Sequence, residues 1–248
     1  MTEKTTSQTQ QLVASLKNKH WVDLTHTFGP DSPRFPSFKP AKFDTIFTHA
    51  DGFFVKEYTF PGQYGTHIDP PVHFYKDDDR YVEDLPLKDL VLPLVVIDHH
   101  EAATANPDAS LTVKDIKVWE KKHGAVPARS FVALRTDWSK RWPSQEKFEN
   151  KDANGQNHYP GWSLDALKYI YETRHATANG HETFDTDTAT EQGDGLVGEY
   201  YVLSHGHYQV ELLDNLDQVP ATGAVINISV AKPEKAPGFP VRAYAIFD

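Results

Sequence analysis

The chain has 248 residues, of which 39% are hydrophobic, so it is long enough for one domain with a sizeable core. Its formal charge of -10 and the absence of a lysine and arginine cluster exclude nucleic acid and anionic membrane as expected partners. The chain has no cysteine, which excludes disulfides and cysteine-ligated zinc, so any metal ion must be held by nitrogen and oxygen ligands, and a small molecule is the expected substrate.

The first 20 residues are predicted to form a polar tail or a short surface helix, and residues 21–248 to form the domain. The sequence contains neither a secretory signal nor the roughly 20 consecutive apolar residues of a membrane-spanning helix, so a cytoplasmic location is expected. The segment HWVDLTHTF is predicted to be the first strand. The proline-rich loop after it carries Phe35 and Phe38, two candidates for the wall of a pocket.

The next segment, FDTIFTHADGFFVKEYTF, is predicted to form two strands joined at Asp51-Gly52, because Asp-Gly between alternating apolar residues is a common hairpin signal. Further along, the apolar run LVLPLVVID indicates a buried strand. The chain between these elements contains the most informative stretch of the sequence, GQYGTHIDPPVHF, at residues 62–74.

The second half alternates between helix and strand signals. LTVKDIKVWEKKHG is predicted to be a helix capped by Thr112 and ended by Gly124, and SLDALKYIYETRH a helix capped by Ser163. RSFVALRTDW, GAVINISVA and VRAYAIFD are predicted strands, whereas GLVGEYYVLSHGHYQVELLDNL is predicted to be helical at its start. This mixture predicts a single α/β domain with a mixed β-sheet.

The stretch at residues 62–74 gathers four side chains that bind metals or transfer protons, namely Gln63, His67, Asp69 and His73. The prolines at positions 70 and 71 favour extended backbone before them, so His67 and Asp69, two residues apart, point to the same side. Imidazole and carboxylate ligands suit Zn²⁺, Mn²⁺ or Fe²⁺ and leave positions free for water and substrate. The alternative is that these histidines only form hydrogen bonds, and the density of such residues makes metal binding the favoured interpretation.

The segment GTHIDPPVHF closely resembles the HxGTHxDxPxHF signature of the metal-dependent cyclase-like hydrolases, a family that includes bacterial kynurenine formamidase and isatin hydrolase. The similarity extends from about Trp21 to the end of the chain. It includes the segments DLTHTF, LRTDW, YPGWS, GHETFDTD, VELLDNLDQVP and PVRAYAIFD.

This resemblance implies a swivelling β/β/α type of fold, a homodimer or homotetramer, and a site with one or two metal ions that hydrolyses small amides, lactams or related acyl compounds. It implies that His67 and Asp69 are metal ligands and that His73 is the general acid/base. The chain departs from the signature at Gln63, where the family has a histidine. Gln63 is a predicted metal ligand, but a neutral amide oxygen is weaker and harder than imidazole, which favours Mn²⁺ or a looser site over tightly bound Zn²⁺. The alternative is that Gln63 only orients water.

Members of the family with two metals also use a histidine and a glutamate twelve residues apart on a late helix. The resemblance places Glu211 at the position of this glutamate and Glu199 at that of the histidine, so both are predicted metal ligands. The alternative is that Glu199 lies on a solvated helix face and that Glu211 forms a salt bridge. His205 and His207 lie nearby, but their spacing disfavours them as ligands.

The predicted substrate contacts are the aromatic residues Phe35, Phe38 and Tyr64, although large aromatic side chains are more often part of a core. His99, His100 and His181 are not expected to take part in the chemistry. Several polar residues lie in family-like segments and are not predicted metal ligands: Asp23, Thr136, Asp137, Glu182, Asp185 and Asp187. The acids of the segment ETFDTDT could hold the ligand histidines in place or, equally often for such residues, cap turns.

The leading hypothesis is a metal-dependent hydrolase of a small amide, lactam or lactone, in which a metal-activated water attacks the carbonyl and His73 moves protons. A lyase or cyclase that stabilises an enolate with the same ion is one alternative. A non-catalytic binding protein that has lost ligands at positions 63 and 199 is another. The sequence has no G-x-G-x-x-G, phosphate loop or G-x-S-x-G motif, which disfavours nucleotide cofactors and serine hydrolysis.

Overall fold

A computed structural model describes residues 7–191 and 195–248. Strands follow one another in the first half of the chain, and helices and strands alternate in most of the second half, as the sequence predicts. The helices are α1 (Gln8–Leu16), α2 (His100–Ala105), α3 (Val113–His123), α4 (Gln145–Glu149), α5 (Leu164–Lys168) and α6 (Val197–Ser204). The strands are β1 (His20–Asp23), β2 (Lys42–Phe47), β3 (Val55–Thr59), β4 (His67–Asp69), β5 (Val91–Asp98), β6 (Ser110–Leu111), β7 (Phe131–Arg135), β8 (Gly161–Trp162), β9 (Ala178–His181), β10 (Tyr208–Glu211), β11 (Ala224–Val230) and β12 (Phe239–Phe247).

Eight of the strands form one mixed sheet in the order β1-β12-β11-β5-β7-β9-β10-β4. The sheet closes into a barrel because β4 also pairs with β12, with Ile68 opposite Phe239. The pairs β5–β7, β7–β9 and β9–β10 are parallel, whereas the remaining pairs are antiparallel. The predicted single α/β domain with a mixed sheet is therefore confirmed.

Two apolar layers hold this architecture together. The interior of the barrel is filled by side chains such as Ile68, Val210 and Ile226, each fully buried. A second layer packs helices against the outside of β5 and β7, where Ile116 of α3 and Leu167 of α5 meet strand residues such as Val132. Because strand side chains alternate, the neighbours of Ile68 and Val210 point out of the barrel, and these neighbours include His67, Asp69 and Glu211.

The residues predicted to cap the helices form the expected hydrogen bonds. The Thr112 side chain accepts a hydrogen bond from the Asp115 amide at the start of α3, and Gly124 ends that helix with a φ of 89°. Ser163 caps α5 in the same way. One predicted element differs, because the late helix ends at Ser204 and a glycine with a φ of 80° at position 206 turns the chain into β10. Glu211 therefore lies on a strand, not on the helix that carries Glu199.

The N-terminal helix α1 has no buried residue, in keeping with the predicted surface helix, and the boundary at residue 20 stays a prediction. Residues 1–6 of the predicted tail lie outside the described residues. Within the described residues, no helix is long and apolar enough to cross a lipid bilayer.

The hairpin of β2 and β3 forms a separate two-stranded sheet, which we call the arm (residues 42–59). Gly52, with a φ of 93°, ends the turn that the Asp51-Gly52 signal predicts. Residues 44–54 are all exposed, so the arm projects from the body of the domain. Its two ends lie close in sequence to Phe38 on one side and Gln63 on the other.

Candidate metal centre and active site

Strand β4 presents the two central side chains of the site. His67 and Asp69 lie in extended backbone before the proline pair, as predicted, and Pro71–His73 then form one turn of 3-10 helix. Gly65 permits this path because its φ is +65°, and a Cβ atom there would lie 2.9 Å from the ring of Phe28. The turn brings His73 back towards the strand, with its Nε2 4.0 Å from Asp69 Oδ1.

The hydrogen bonding of His67 fixes which nitrogen faces the site. Its Nδ1 lies 2.8 Å from the carbonyl oxygen of Gly65, which can only accept, so Nδ1 carries the hydrogen. In the neutral ring, Nε2 then carries a lone pair. This nitrogen lies 3.3 Å from Asp69 Oδ2 and 3.3 Å from Glu211 Oε2. A lone pair facing two carboxylates is repulsive, so this arrangement requires a proton or a metal cation between them.

The buried atoms of this group fit a metal cation. His67, Asp69 and Glu211 each offer one ligand atom, and these atoms lie within 4.8 Å of one another. Both carboxylate oxygens of Asp69 are buried, and neither accepts a hydrogen bond of ordinary geometry within the described residues. A buried carboxylate without such partners is costly unless a cation neutralises it, so the donor set suits a divalent ion.

The pKa values of the residues around Asp69 are shifted upwards because several carboxylates are buried close together. Burial favours the neutral ring of His67, but Asp69 and Glu211 outweigh it and raise the pKa of His67 well above its usual value. Burial and the nearby Glu211 raise the pKa of Glu199 well above its usual range, and the same two causes raise the pKa of Asp185 to about 7. The ionised forms of these acids repel one another, so a bound cation or proton would stabilise the group.

A second group of possible ligands shares Asp69 with the first. It consists of Asp69, His73 and Glu199, and its ligand atoms also lie within 4.8 Å of one another. His73 Nε2 is 3.9 Å from Glu199 Oε1. His73 is the accessible member, with a quarter of its side chain exposed, whereas Asp69 and Glu199 are buried. The structure therefore brings together all the acids and histidines predicted to act in the site.

Gln63 lies beside this group and acts as a donor. Its amide nitrogen lies 3.1 Å from the carbonyl oxygen of Pro237 and 3.3 Å from His73 Nδ1. Both contacts use its amide nitrogen, which places Gln63 to orient His73, and its role as a metal ligand stays a prediction. A donor at Nδ1 leaves the hydrogen of the neutral His73 ring on Nε2, which faces Asp69 and Glu199.

Glu211 is held by side chains that the sequence analysis did not select. Gln209 Nε2 donates to Glu211 Oε1 at 2.9 Å, and the Thr186 hydroxyl donates to Gln209 Oε1. His181 Nε2 is 3.3 Å from the same Oε1 of Glu211. These contacts occupy Oε1 and leave Oε2 facing His67, so they set the orientation of the carboxylate.

The loop after β9 contains the acidic segment ETFDTDT, and its side chains hold neighbouring elements of the site in place. Asp187 accepts hydrogen bonds from the backbone amides of Gly198 and Glu199 at 2.7 and 3.0 Å, which fixes the start of α6. Glu182 accepts from the Thr136 amide at 2.6 Å and from the Ser139 hydroxyl at 2.8 Å. Burial raises the pKa of Glu182 to about 7. The Tyr159 hydroxyl donates to Asp185.

A cavity of about 220 Å³ opens onto these ligands. Phe35 and Phe38 line it, as predicted. Tyr64 does not, because it is fully buried in the core and its hydroxyl donates to the carbonyl oxygen of Gly29 at 3.1 Å, so the predicted substrate contact at Tyr64 is wrong. The other lining residues are Gln63, His67, His73, Phe74, Phe184, Asp185, Leu196, Glu199, Glu211 and Leu212.

Several residues considered in the sequence analysis lie away from the cavity. Asp23 pairs with Arg242 at 2.7 Å on the barrel surface. Asp137 pairs with Arg135 and Lys140. His99, His100, His205 and His207 belong to neither ligand group and do not line the cavity.

Comparison with known proteins places the chain in a family. Residues 22–188 match the family model named Cyclase, described as "Putative cyclase". The chain belongs to the cyclase family. The matched range contains the GTHIDPPVHF signature and ends before Glu199 and Glu211, and the resemblance predicted from that signature is confirmed.

Among the relatives of this cyclase-family chain are isatin hydrolases. The isatin hydrolase of Roseibium aggregatum is 32% identical over 232 residues, which cover 91% of this chain and 86% of that protein. The structure of isatin hydrolase A from Ralstonia solanacearum covers all of both chains with 30% identity and a TM-score of 0.91. An isatin hydrolase bound to the product analogue thioisatinate is 29% identical, with a TM-score of 0.90 over 97% of this chain and 99% of that one.

Two residues that sequence reasoning missed, Gln209 and His181, become visible only through strand pairing. Glu211 lies directly opposite His67 in the β10–β4 pair, and Gln209 lies opposite Asp69. On the other side, β10 is parallel to β9, whose last residue is His181. The three neighbouring strands thus place His181, Glu211 and His67 in one row, although these residues are far apart in sequence.

Proposed function

We propose that this cyclase-family chain is a metal-dependent hydrolase that opens the amide bond of a lactam fused to an aromatic ring. The observation that carries the proposal is the convergence of His67, Asp69 and Glu211 at a cavity whose other lining residues include aromatic and aliphatic side chains. Isatin, the substrate in the names of the relatives, has this chemistry and is the first compound to test.

The apolar side chains of the cavity provide the binding surface for the aromatic ring. Phe35, Phe38, Phe74 and Phe184 can pack against a flat ring by edge or offset contacts. The polar groups lie together beside this surface, so a ring bound there presents its amide carbonyl to them.

The proposed metal ligands are His67, Asp69 and Glu211, and Glu199, which lines the same cavity, is proposed as a further ligand. A divalent ion bound by these residues supplies Lewis-acid activation of water and polarisation of the substrate carbonyl. The ligands include more carboxylate oxygens than imidazole nitrogens, which favours Mn²⁺ over Zn²⁺.

His73 is the proposed proton carrier. It is the most accessible of the titratable groups, and Gln63 holds its Nδ1, so that Nε2 is directed towards the site. In hydrolysis, a water oxygen forms a bond to the carbonyl carbon, the carbon–nitrogen bond breaks, and the leaving nitrogen takes up a proton. When the Gln63 amide turns its oxygen to Nδ1, the hydrogen of the neutral ring moves to Nδ1, and His73 Nε2 can then accept the proton lost by water and return it to that nitrogen.

The test combines metal removal with isotope labelling. Protein treated with a chelator and dialysed is expected to lose isatin turnover and to recover it when Mn²⁺ is added, and in ¹⁸O-labelled water the new carboxylate is expected to contain one labelled oxygen. Turnover without metal in the protein would contradict the proposed centre. An unlabelled product would favour the lyase or cyclase alternative, and a site that cannot be refilled with metal would favour a binding protein.

The quaternary and cellular properties predicted from the sequence remain proposals. We propose a homodimer or homotetramer and a cytoplasmic location, in line with the expectations from the sequence.

A further inference from the structure

The loop that carries Phe35 and Phe38 has few backbone groups with which to hold its own shape. Prolines stand at positions 30, 33, 36 and 40, and a proline nitrogen has no hydrogen to donate. Residues 30–40 lie between β1 and β2 and contain no helix or strand. The two aromatic rings, which line the cavity, therefore depend on contacts from outside the loop for their positions.

The base of this loop is closed by Tyr64. Its buried hydroxyl donates to the carbonyl oxygen of Gly29 at 3.1 Å and accepts from the amide of Ala41 at 3.3 Å, so one oxygen joins the two ends. Inside the loop, the amide of Phe38 donates to the carbonyl oxygen of Phe35 at 2.9 Å. The two rings contact each other with centroids 5.7 Å apart, and we call this pair the aromatic wall (Phe35 and Phe38).

Gln145, the first residue of α4, holds the middle of the loop at Arg34. Its Oε1 accepts from the Arg34 amide at 2.8 Å, and its Nε2 donates to the Arg34 carbonyl oxygen at 2.8 Å. One side-chain amide thereby makes both hydrogen bonds that a residue of a paired strand would make. Arg34 in turn donates from Nε to the carbonyl oxygen of Phe38 at 3.2 Å. Because Arg34 directly precedes Phe35, these contacts reach both members of the aromatic wall.

Helix α4 is a firm support because it is packed into the core through Phe148. This side chain is fully buried, and its ring centroid lies 4.7 Å from that of Phe184, which also lines the cavity. The Trp138 indole nitrogen donates to the Phe148 carbonyl oxygen at 3.0 Å. Gln145 Nε2 also donates to Glu149 Oε1 at 3.0 Å, which restricts rotation of the amide. One short helix thus supports Phe184 by packing and the aromatic wall by hydrogen bonds.

We propose that Gln145 is a positioning residue that sets the affinity of the cavity for the fused aromatic ring of the substrate. The inference rests on the proposed hydrolysis of an aromatic lactam at this cavity. Gln145 lies outside the cavity lining and acts by holding the aromatic wall in place before the ring arrives. A wall that is already ordered binds a ligand more tightly than one that must become ordered with it.

The metal ligands are held by other elements, which separates ring binding from chemistry. His67 and Asp69 lie on β4, and Glu211 on β10 is oriented by Gln209. Loss of the Gln145 contacts therefore loosens the surface that binds the ring and leaves the metal centre in place. Contacts that hold substrate and transition state equally change KM and leave kcat unchanged.

The first test uses indole, which has the fused aromatic ring but no amide carbonyl and is therefore bound without hydrolysis. In Gln145→Met, a side chain of similar length cannot make the two bonds to Arg34. The dissociation constant of indole, measured by calorimetry on the metal-loaded protein, should rise roughly 5- to 20-fold. The control is Glu146→Met, at the exposed next position of α4, which should bind indole as the wild type does. A wild type that does not bind indole, or equal affinity in Gln145→Met, overturns the proposal.

The second test observes the loop itself and needs no ligand. Because the Arg34 amide is bonded to Gln145, its hydrogen exchange, measured by NMR, should become about 10-fold faster or more in Gln145→Met. The amide of Phe148, which donates to the Ser144 carbonyl oxygen at 3.0 Å within α4, should keep its wild-type exchange rate. Unchanged exchange at Arg34 contradicts the role of Gln145.

A variant of the loop decides the question if Gln145→Met disturbs α4 as a whole. Arg34→Ala leaves α4 and both backbone contacts with Gln145 intact and removes the donor to the Phe38 carbonyl oxygen. Its dissociation constant for indole should rise roughly 2- to 5-fold, because one member of the aromatic wall is released. Wild-type affinity in Arg34→Ala would overturn the proposed path from Gln145 to the wall.

Turnover of isatin separates this inference from the proposed function. Gln145→Met should raise KM by about the same factor as the dissociation constant of indole and keep kcat within about twofold, with unchanged metal content. A fall in kcat at unchanged KM overturns the positioning role. A wild type that binds indole but does not hydrolyse isatin contradicts the proposed function, and the indole affinities and the Arg34 exchange rates then decide the role of Gln145.

Discussion

The metal centre buries charged side chains, whereas the arm exposes apolar ones, so both regions reverse the usual distribution between core and surface. At the centre, Asp69, Glu199 and Glu211 are buried, and on the arm Phe53 and Phe54 are half exposed. Charged side chains are rarely buried without partners, and large apolar patches are rarely left on a surface. The buried acids therefore support the proposed cation at the centre, whereas the arm leaves apolar surface uncovered by its own chain.

The largest effect is expected from removing one charge at the centre. Asp69→Asn keeps the shape of the side chain but weakens both groups of possible ligands, so kcat/KM for isatin should fall by roughly 1,000-fold or more. Metal content measured by mass spectrometry should fall with it. The matched control is Asp98→Asn, an exposed acid paired with Arg135, which should keep both activity and metal. An Asp69→Asn protein with normal metal content would contradict the proposed role of Asp69 as a metal ligand.

A smaller effect is expected from Gly238, which lies against the same residues. A Cβ atom there would lie 2.2 Å from Gln63 Nε2 and 2.7 Å from Asp69 Oδ1. Gly238→Ala should displace Gln63, which orients His73, and lower kcat by roughly 10- to 100-fold. In Gly29→Ala, the nearest atom to the new carbon is 3.8 Å away, so this control should retain activity. Equal activities in the two variants would argue against an orienting role for Gln63.

The support of Glu211 gives a further test of the centre. Gln209→Leu removes the donor to Glu211 Oε1, so metal affinity should fall by roughly 10-fold, because the carboxylate is no longer held with Oε2 towards His67. The measurement is a metal titration of chelator-treated protein. Tyr171→Phe is the control, since it removes a buried hydrogen bond of similar kind to Asn179 without contacting Glu211. A similar loss in both variants would point to general destabilisation.

The smallest effect concerns a histidine outside both regions, which shows what burial does without a carboxylate partner. Burial lowers the pKa of His207 to about 4, whereas the carboxylates around His67 raise its pKa. Between pH 6.5 and about 4, the unfolded chain binds a proton at His207 that the folded chain does not, so stability falls as pH falls, by at most about 3 kcal/mol.

His207→Phe keeps the stacking on Tyr171, whose ring centroid is 3.8 Å from that of His207, and removes the titrating group. Urea unfolding at pH 7 and pH 5 should therefore show a smaller loss of stability in the variant than in the wild type. An identical loss in both proteins would show that His207 does not contribute.

The sequence predicts the part of the site that is contiguous in the chain. His67 and Asp69 are placed by the prolines beside them, and His73 follows within one turn, so local backbone preferences are sufficient. The resemblance places Glu211 on a late helix, whereas it lies on β10, whose sequence YQVE alternates apolar and polar residues over only four positions. A run this short next to a helical segment is a weak strand signal.

The remaining parts of the site depend on contacts that no local pattern contains. Gln209 and His181 meet Glu211 only because β10 pairs with β4 on one side and β9 on the other. Tyr64 lies in a family-like segment but its ring turns inward, where it contacts Phe28 and Phe60. Aromatic residues in a loop next to a cavity cannot be assigned to wall or core until the packing is known.

The pairing of β4 with β12 has a consequence for how the protein is made. His67 lies opposite Pro240, and the Val241 amide donates to the carbonyl oxygen of Thr66 at 2.9 Å, so the ligand strand is seated by a segment that leaves the ribosome much later. Pairings between distant segments form slowly because a long loop must close first. Nascent chains should therefore gain the ability to bind the ion only near the end of synthesis, when β12 is available to pair with β4.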